Sequence, residues 1–143
     1  MQQRRIVFVI FEGFQSLDLV GPHEVFQYAG MLSGGYDCRI LAPAAGLVRS
    51  TSGLPVQAGH GVADLDPRGI DTLVTVGGDS VDHAAQDSAL TGWLAAAGAS
   101  ARRVTSVCVR PRSGHFGRSA ERKGARSANN ASGRSRGMMW PQS

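Results

Sequence analysis

The chain has 143 residues, 15 basic and 11 acidic, with a formal net charge of +4. That length allows one domain. There is no 18-residue apolar run to span a membrane, and Ile6–Ile10 is too short for a secretory h-region. Two cysteines exclude a disulfide framework and point to a reducing cytoplasm.

Arg5 to Phe11 is a continuous, partly β-branched apolar run, the pattern of a strand buried on both faces. Glu12-Gly13 ends it. Leu17, Val20, Val25, Phe26 and Ala29 then mark a helical stripe up to Met31. Proline is tolerated only in a first helical turn, so Gly21-Pro22 predicts a main helix starting near Pro22, with Asp18 in the turn before it. Tyr36 to Ala42 reads as a second strand, and Val48 to Val56 as a short hairpin around Ser52-Gly53. Asp71 to Val76 is the next strand, stopped by Gly77-Gly78. A helix follows from about Ser80 to Ala97, capped by Asp79 or Ser80, with Val81, Ala84, Ala85, Leu90, Trp93 and Leu94 on its apolar side. Arg103 to Val107 is the last strand, and Cys108 follows it.

This alternation predicts an α/β fold, a flavodoxin-like, mainly parallel sheet with flanking helices. Beyond Val109 the text changes. Residues 110–143 contain no Leu, Ile or Val. Residues 1–109 carry seven arginines against ten carboxylates, a net of −3; residues 110–143 carry seven arginines and Lys123 against Glu121, a net of +7. The expected division is therefore a domain over residues 4–109 and a basic, disordered Arg/Ser/Gly-rich tail over 110–143. No helix face or interleaved aromatic organises the tail's charge into a nucleic-acid surface.

In parallel sheets functional groups collect at the carboxyl ends of the strands. Asp18, Gly77-Gly78 and Cys108 are all predicted there. A cysteine at a strand tip can be a nucleophile activated by a helix N-terminus and a nearby acid, or simply a small buried hydrophobe. A Gly-Gly turn lets backbone N–H groups approach a developing oxyanion. His23, His60, His83 and His115 have no metal-ligand spacing with Cys38 or Cys108, so no metal and no cofactor is expected. Cys38 and Trp93 are expected in the core, His23 on a helix face, and His60 and His83 in loops or at the surface. Asp64, Asp66, Asp79, Asp82 and Asp87 are expected as caps and solvated turns.

Phe14-Gln15-Ser16-Leu17-Asp18-Leu19-Val20-Gly21-Pro22-His23-Glu24-Val25-Phe26, Val48–Leu54, Leu73–Asp79 and Arg103–Cys108 together resemble the ThiJ/PfpI family of the class I glutamine amidotransferase-like superfamily. Within it, the sensor domains of AraC-type (GlxA-type) transcriptional regulators are most similar, and isonitrile hydratase-like enzymes share much the same motifs. The resemblance implies that Cys108 is the nucleophile-elbow cysteine, that Asp18 is the acid beside it, and that Gly77 and Gly78 line the oxyanion or ligand side. Glu24 falls in the Gly-Pro-x-Glu-Val-Phe pattern with a structural role. In a sensor Cys108 contacts ligand; in an enzyme it is catalytic, acting as a hydratase or hydrolase. The implied partners are an unknown small molecule, a second subunit in the intact parent, and DNA only through a helix-turn-helix domain with no counterpart here.

After the cysteine the family continues with glycine and an apolar helix, whereas this chain continues Val109-Arg110-Pro111-Arg112-Ser113. That switch predicts out-of-frame translation after Cys108, an incomplete sheet and a truncated regulator, poorly soluble or molten and without specific DNA binding, or a fragment with no function.

Overall fold

The structure, a computed structural model, describes residues 3–107. The tail and Cys108 lie outside the described residues, as do His115 and the expectations attached to them.

Five strands form one parallel sheet: β1 (Arg4–Val9), β2 (Tyr36–Ala42), β5 (His60–Gly61), β6 (Thr72–Val76) and β7 (Arg103–Val107), in the order β5-β2-β1-β6-β7. Between β2 and β5 the chain makes an antiparallel hairpin of β3 (Gly46–Arg49) and β4 (Pro55–Ala58), with Val48 opposite Val56. The chain moves from β1 outward to β2 and later returns to place β6 on β1's other side. The direction of winding thus reverses at β1, where such sheets open a crevice.

Alternation along β1 builds two cores. Ile6, Phe8 and Ile10 face α1 (Ser16–Ser33) and the hairpin, whereas Val7 and Val9 face α3 (Ser88–Ser100). Full burial stabilises each such side chain by about 1.5–3 kcal/mol. Phe8 also meets Phe26 edge-on at 6.1 Å and packs on His23 at 5.3 Å, so His23 is a helix-face residue turned toward the core. Cys38 is half-buried against the same cluster, and burial, with Asp37 beside it, pushes its thiol pKa up.

Two helix expectations need correction. The first helix does not start near Pro22: it runs unbroken from Ser16, with Pro22 inside it and Asp18 in its first turn. Tertiary contacts outweigh the lost backbone hydrogen bond, because the first turn buries Asp18 and Leu19 and is tied down through Gln15. The second helix is two: α2 (Val81–Ala84) and α3, separated at Ala85–Asp87. Asp87 is the effective cap, its carboxylate accepting from the N–H groups of Ala89 and Leu90 at 2.9 and 3.0 Å. Ser80 stands at the start of α2 without a side-chain cap bond, and Ala85, though largely exposed, borders an apolar gap beside Val9, Phe11 and Leu90. His60 lies in β5, half-buried, rather than in a loop.

Trp93 is in the core as expected, and its indole N–H donates to the Leu65 carbonyl at 2.7 Å. Trp93→Phe keeps an aromatic side chain but removes the pyrrole ring and orphans that buried carbonyl. It should lower unfolding stability by about 1–3 kcal/mol, read as a shifted denaturation midpoint with unchanged slope.

At the amino edge of the sheet, Arg102 grips Asp71 through two bonds of 2.8 Å, with Thr72 donating to the same carboxylate. The Arg102 guanidinium is the main reason the Asp71 pKa lies below the usual carboxylate range. A depressed folded pKa adds stability above the unfolded value and loses it as pH falls through the folded one. Arg102→Ala should therefore cost stability at pH 7, with the deficit shrinking as pH drops below about 4. Urea melts at pH 7 and at successively lower pH check this.

Candidate functional site

The site lies where β1 leaves the sheet. Ile10 still bonds the neighbouring strand through its N–H to Leu41, and the chain then turns through Glu12–Gln15 into α1. Gly13 turns with φ +78°, and a Cβ there would run into the Ser80 hydroxyl. Phe14 is fully buried and bridges Ser50 on one side and Gly78 on the other.

Two neighbours hold this loop. From the hairpin, the Arg49 carbonyl accepts from Gly13 N–H at 2.8 Å, Thr51 N–H donates to the Phe14 carbonyl at 2.9 Å, and Arg49 N–H donates to Glu12 Oε2 at 3.1 Å. From the turn after β6, the Gly77 carbonyl accepts from Gln15 N–H at 2.8 Å. Gly78 passes so close that a Cβ would strike the Gly13 carbonyl and stand 2.7 Å from Phe14 Cα. Only glycine permits that approach.

Asp18 is joined to the same turn through one residue: its N–H donates to the Gln15 carbonyl at 3.1 Å. It is 8% exposed, and its Oδ2 is sealed from solvent with no hydrogen-bond partner among the described residues. The position in the first turn of α1 is favourable for a carboxylate, yet a buried, unpaired acceptor costs free energy that a fold rarely leaves uncompensated. Asp18 Oδ2 is thus a strong acceptor lacking a donor among the described residues.

Three of the four residues expected at this edge therefore converge: Asp18 and Gly77 are joined by main-chain bonds through Gln15, and Gly78 bridges the neighbouring Phe14. Cys108 lies outside the described residues; β7 reaches Val107, which pairs with Val76. Gln15 was missed from sequence, where it reads as an ordinary polar residue before a helix. Glu24 is solvent-facing, 4.0 Å from His23 Nδ1 and part of no cluster with Asp18. An apolar cavity of about 50 Å³ lined by Val9, Phe11, Val76, Ala84, Leu90 and Leu94 lies on the α3 side of the sheet. Thr75 and Thr91 also line it, but their hydroxyls donate to the Thr105 and Asp87 carbonyls, so it is a packing gap rather than the site. Among the described residues no three His, Cys, Asp or Glu side chains stand together as metal ligands, and no helix is long and apolar enough to cross a membrane.

Residues 4–113 match the profile of the DJ-1/PfpI family. The chain belongs to that family. Of solved DJ-1/PfpI structures, a THiJ/PfpI family protein from Pseudomonas syringae is 28% identical with a TM-score of 0.66, over 76% of this chain and 43% of that one. Toxoplasma gondii DJ-1 in its oxidized form, 16% identical with a TM-score of 0.63 over 73% of this chain and 55% of its own, shares the fold. A curated relative, an uncharacterized protein in the cpoL 5' region of Streptomyces lividans, is 36% identical over 108 residues, 73% of each chain. The matched part thus spans about half the length of the solved DJ-1/PfpI proteins.

Proposed function

We propose that this DJ-1/PfpI domain binds a small molecule at the Asp18 edge as the ligand-sensing, amidase-like module of an AraC-type transcriptional regulator, with DNA contacted only through a helix-turn-helix domain elsewhere. One observation carries the reading: a buried carboxylate oxygen without a donor among the described residues, at the point where the winding of the sheet reverses. A ligand N–H or O–H, held between Asp18, the Gly77-Gly78 turn and Cys108, supplies the missing partner. A metabolite panel screened by thermal shift tests it. A ligand at about 100 times its Kd adds roughly 2.7 kcal/mol to stability, and Asp18→Asn should abolish that shift.

The same unpartnered oxygen favours a second reading, in which it holds or moves a proton for a Cys108 thiolate in a hydratase or hydrolase. Turnover of an isonitrile or a small amide, lost in Cys108→Ser, decides for the enzyme. The compositional switch at Arg110 supports a third element of the proposal, that residues 110–143 are out-of-frame and the regulator is truncated. The coding DNA read in all three frames across codons 105–150 tests it. A frame continuing toward a helix-turn-helix supports the truncated regulator, and its absence makes the tail genuine.

The sensor reading includes a homodimer through α1. Leu17, Val20, Val25, Tyr28, Met31 and Leu32 are exposed along that helix, whose only acidic or basic side chains besides buried Asp18 are His23 and Glu24. Residues 110–143, without Leu, Ile or Val, offer little to cover it, whereas a second copy brings an identical apolar face. Sedimentation should find a dimer that Leu17→Glu with Met31→Glu converts to monomer; an unchanged dimer would place the interface elsewhere.

A further inference from the structure

We infer that residues 80–86 form a strap, fixed at both ends, that opens over the apolar packing gap while the rest of the domain stays folded. Its end points are held firmly. Gly78 bridges Phe14 too closely to admit a side chain, and the Asp87 carboxylate caps α3. Between them α2 is little more than one turn, and the segment is bonded only to itself and its anchors. Among the described residues, Val81 N–H donates to the Gly78 carbonyl at 3.4 Å, Ala84 to Ser80 and Ala85 to Val81 at 2.9 Å, and Gln86 to His83 at 3.1 Å. None of the seven residues is buried. The gap of about 50 Å³ lies against them, lined by Val81, Ala84 and Ala85 from the strap and by Phe11, Val76 and Leu90 from the domain. A void supplies no contacts to lose, and segments with few buried contacts open at a fraction of the free energy of global unfolding. The closed strap also covers part of the β1 loop: Ser80 occupies the space beside Gly13, where an added carbon would stand 3.2 Å from Ser80 Cβ. Opening therefore uncovers the gap and the Gly13 main chain together, next to the Gly77-Gly78 turn. This device goes beyond the binding reading above and does not depend on it.

Amide hydrogen exchange of the full chain, resolved by residue and repeated at low urea concentrations, tests it. The amides of Ala84, Ala85 and Gln86 should be protected, but about a hundredfold less than those of Ala97 and Ala101 in and after α3. Their rates should stay flat in urea below the unfolding transition, because a local opening exposes little new surface. Trp93→Phe, which weakens the whole fold, should speed exchange at Ala97 and leave the strap amides unmoved. Ala84→Val places two more carbons at the gap and should slow the strap amides by about tenfold. Strap amides that match α3 in protection and urea response would overturn the inference, since the segment would then open only with the domain. Amides with no protection at all would overturn it too, there being no closed state. Rates unmoved by Ala84→Val in a folded variant would show that the opening does not involve the gap, and would likewise overturn it.

Discussion

Gly78→Ala should be one of the most damaging single-methyl additions this chain can suffer. The new carbon would strike the Gly13 carbonyl and sit 2.7 Å from Phe14 Cα and 3.2 Å from Gln15 N. All three obstacles are backbone, and the loop they belong to is held on its far side by the hairpin, so relief requires the β1 and β6 loops to separate. Overpacking of that kind costs about 1–3 kcal/mol, a large part of the 5–15 kcal/mol that typically holds a domain together. Gly92→Ala is the matched control: it lies within α3 with nothing within 4 Å of its added carbon, and should stabilise by roughly 0.5–1 kcal/mol. Urea midpoints of opposite sign are the expected result. Equal midpoints would mean that the two loops are not locked together.

Asp18→Asn should do the reverse, trading function for stability. The substitution keeps the shape and removes a carboxylate whose Oδ2 is sealed away with no partner among the described residues. The amide's polar atoms find no partner there either, so the gain is only the smaller cost of burying a neutral group than a charged one; the melting temperature should rise modestly while ligand-induced shifts disappear. Such a stability gain with loss of activity is characteristic of groups kept for function. A fall in stability would show that the carboxylate already has a partner within the chain, and the edge would then be closed rather than waiting for a ligand.

Much of the framework was legible in the sequence because the strands of a parallel sheet are apolar on both faces. Ile6–Ile10 and Leu73–Val76 announce themselves without reference to anything distant, the edgeward Tyr36–Ala42 and Arg103–Val107 follow from β-branched and aromatic residues set between turn signals, and the Ser52-Gly53 hairpin follows from its turn residues. The errors occurred where tertiary contacts overrode a local rule. Pro22 would end a solitary helix, but burial of Asp18 and Leu19 keeps the preceding turn helical. The break before α3 was signalled only by Asp87, an N-cap in form that can equally read as a solvated helix residue. At the site, Asp18 and the Gly77-Gly78 turn could be anticipated from strand ends. Gln15 could not, since the partner that gives it meaning, Gly77, is brought to it by the fold and not by proximity in sequence.

The central place of β1 also dictates a schedule. Ile6 to Val9 are made first, yet one flank of that strand pairs with Thr72–Thr75 and must wait until those residues have left the ribosome. In the interval β1, α1 and β2 can assemble as a local unit on the other flank, while an unbroken apolar strand stays open along one edge. Contacts so distant in sequence form slowly, and an open apolar edge is a template for wrong pairing. The yield of folded chain should therefore be decided during synthesis, in the time it takes to emerge from Val9 to Val76.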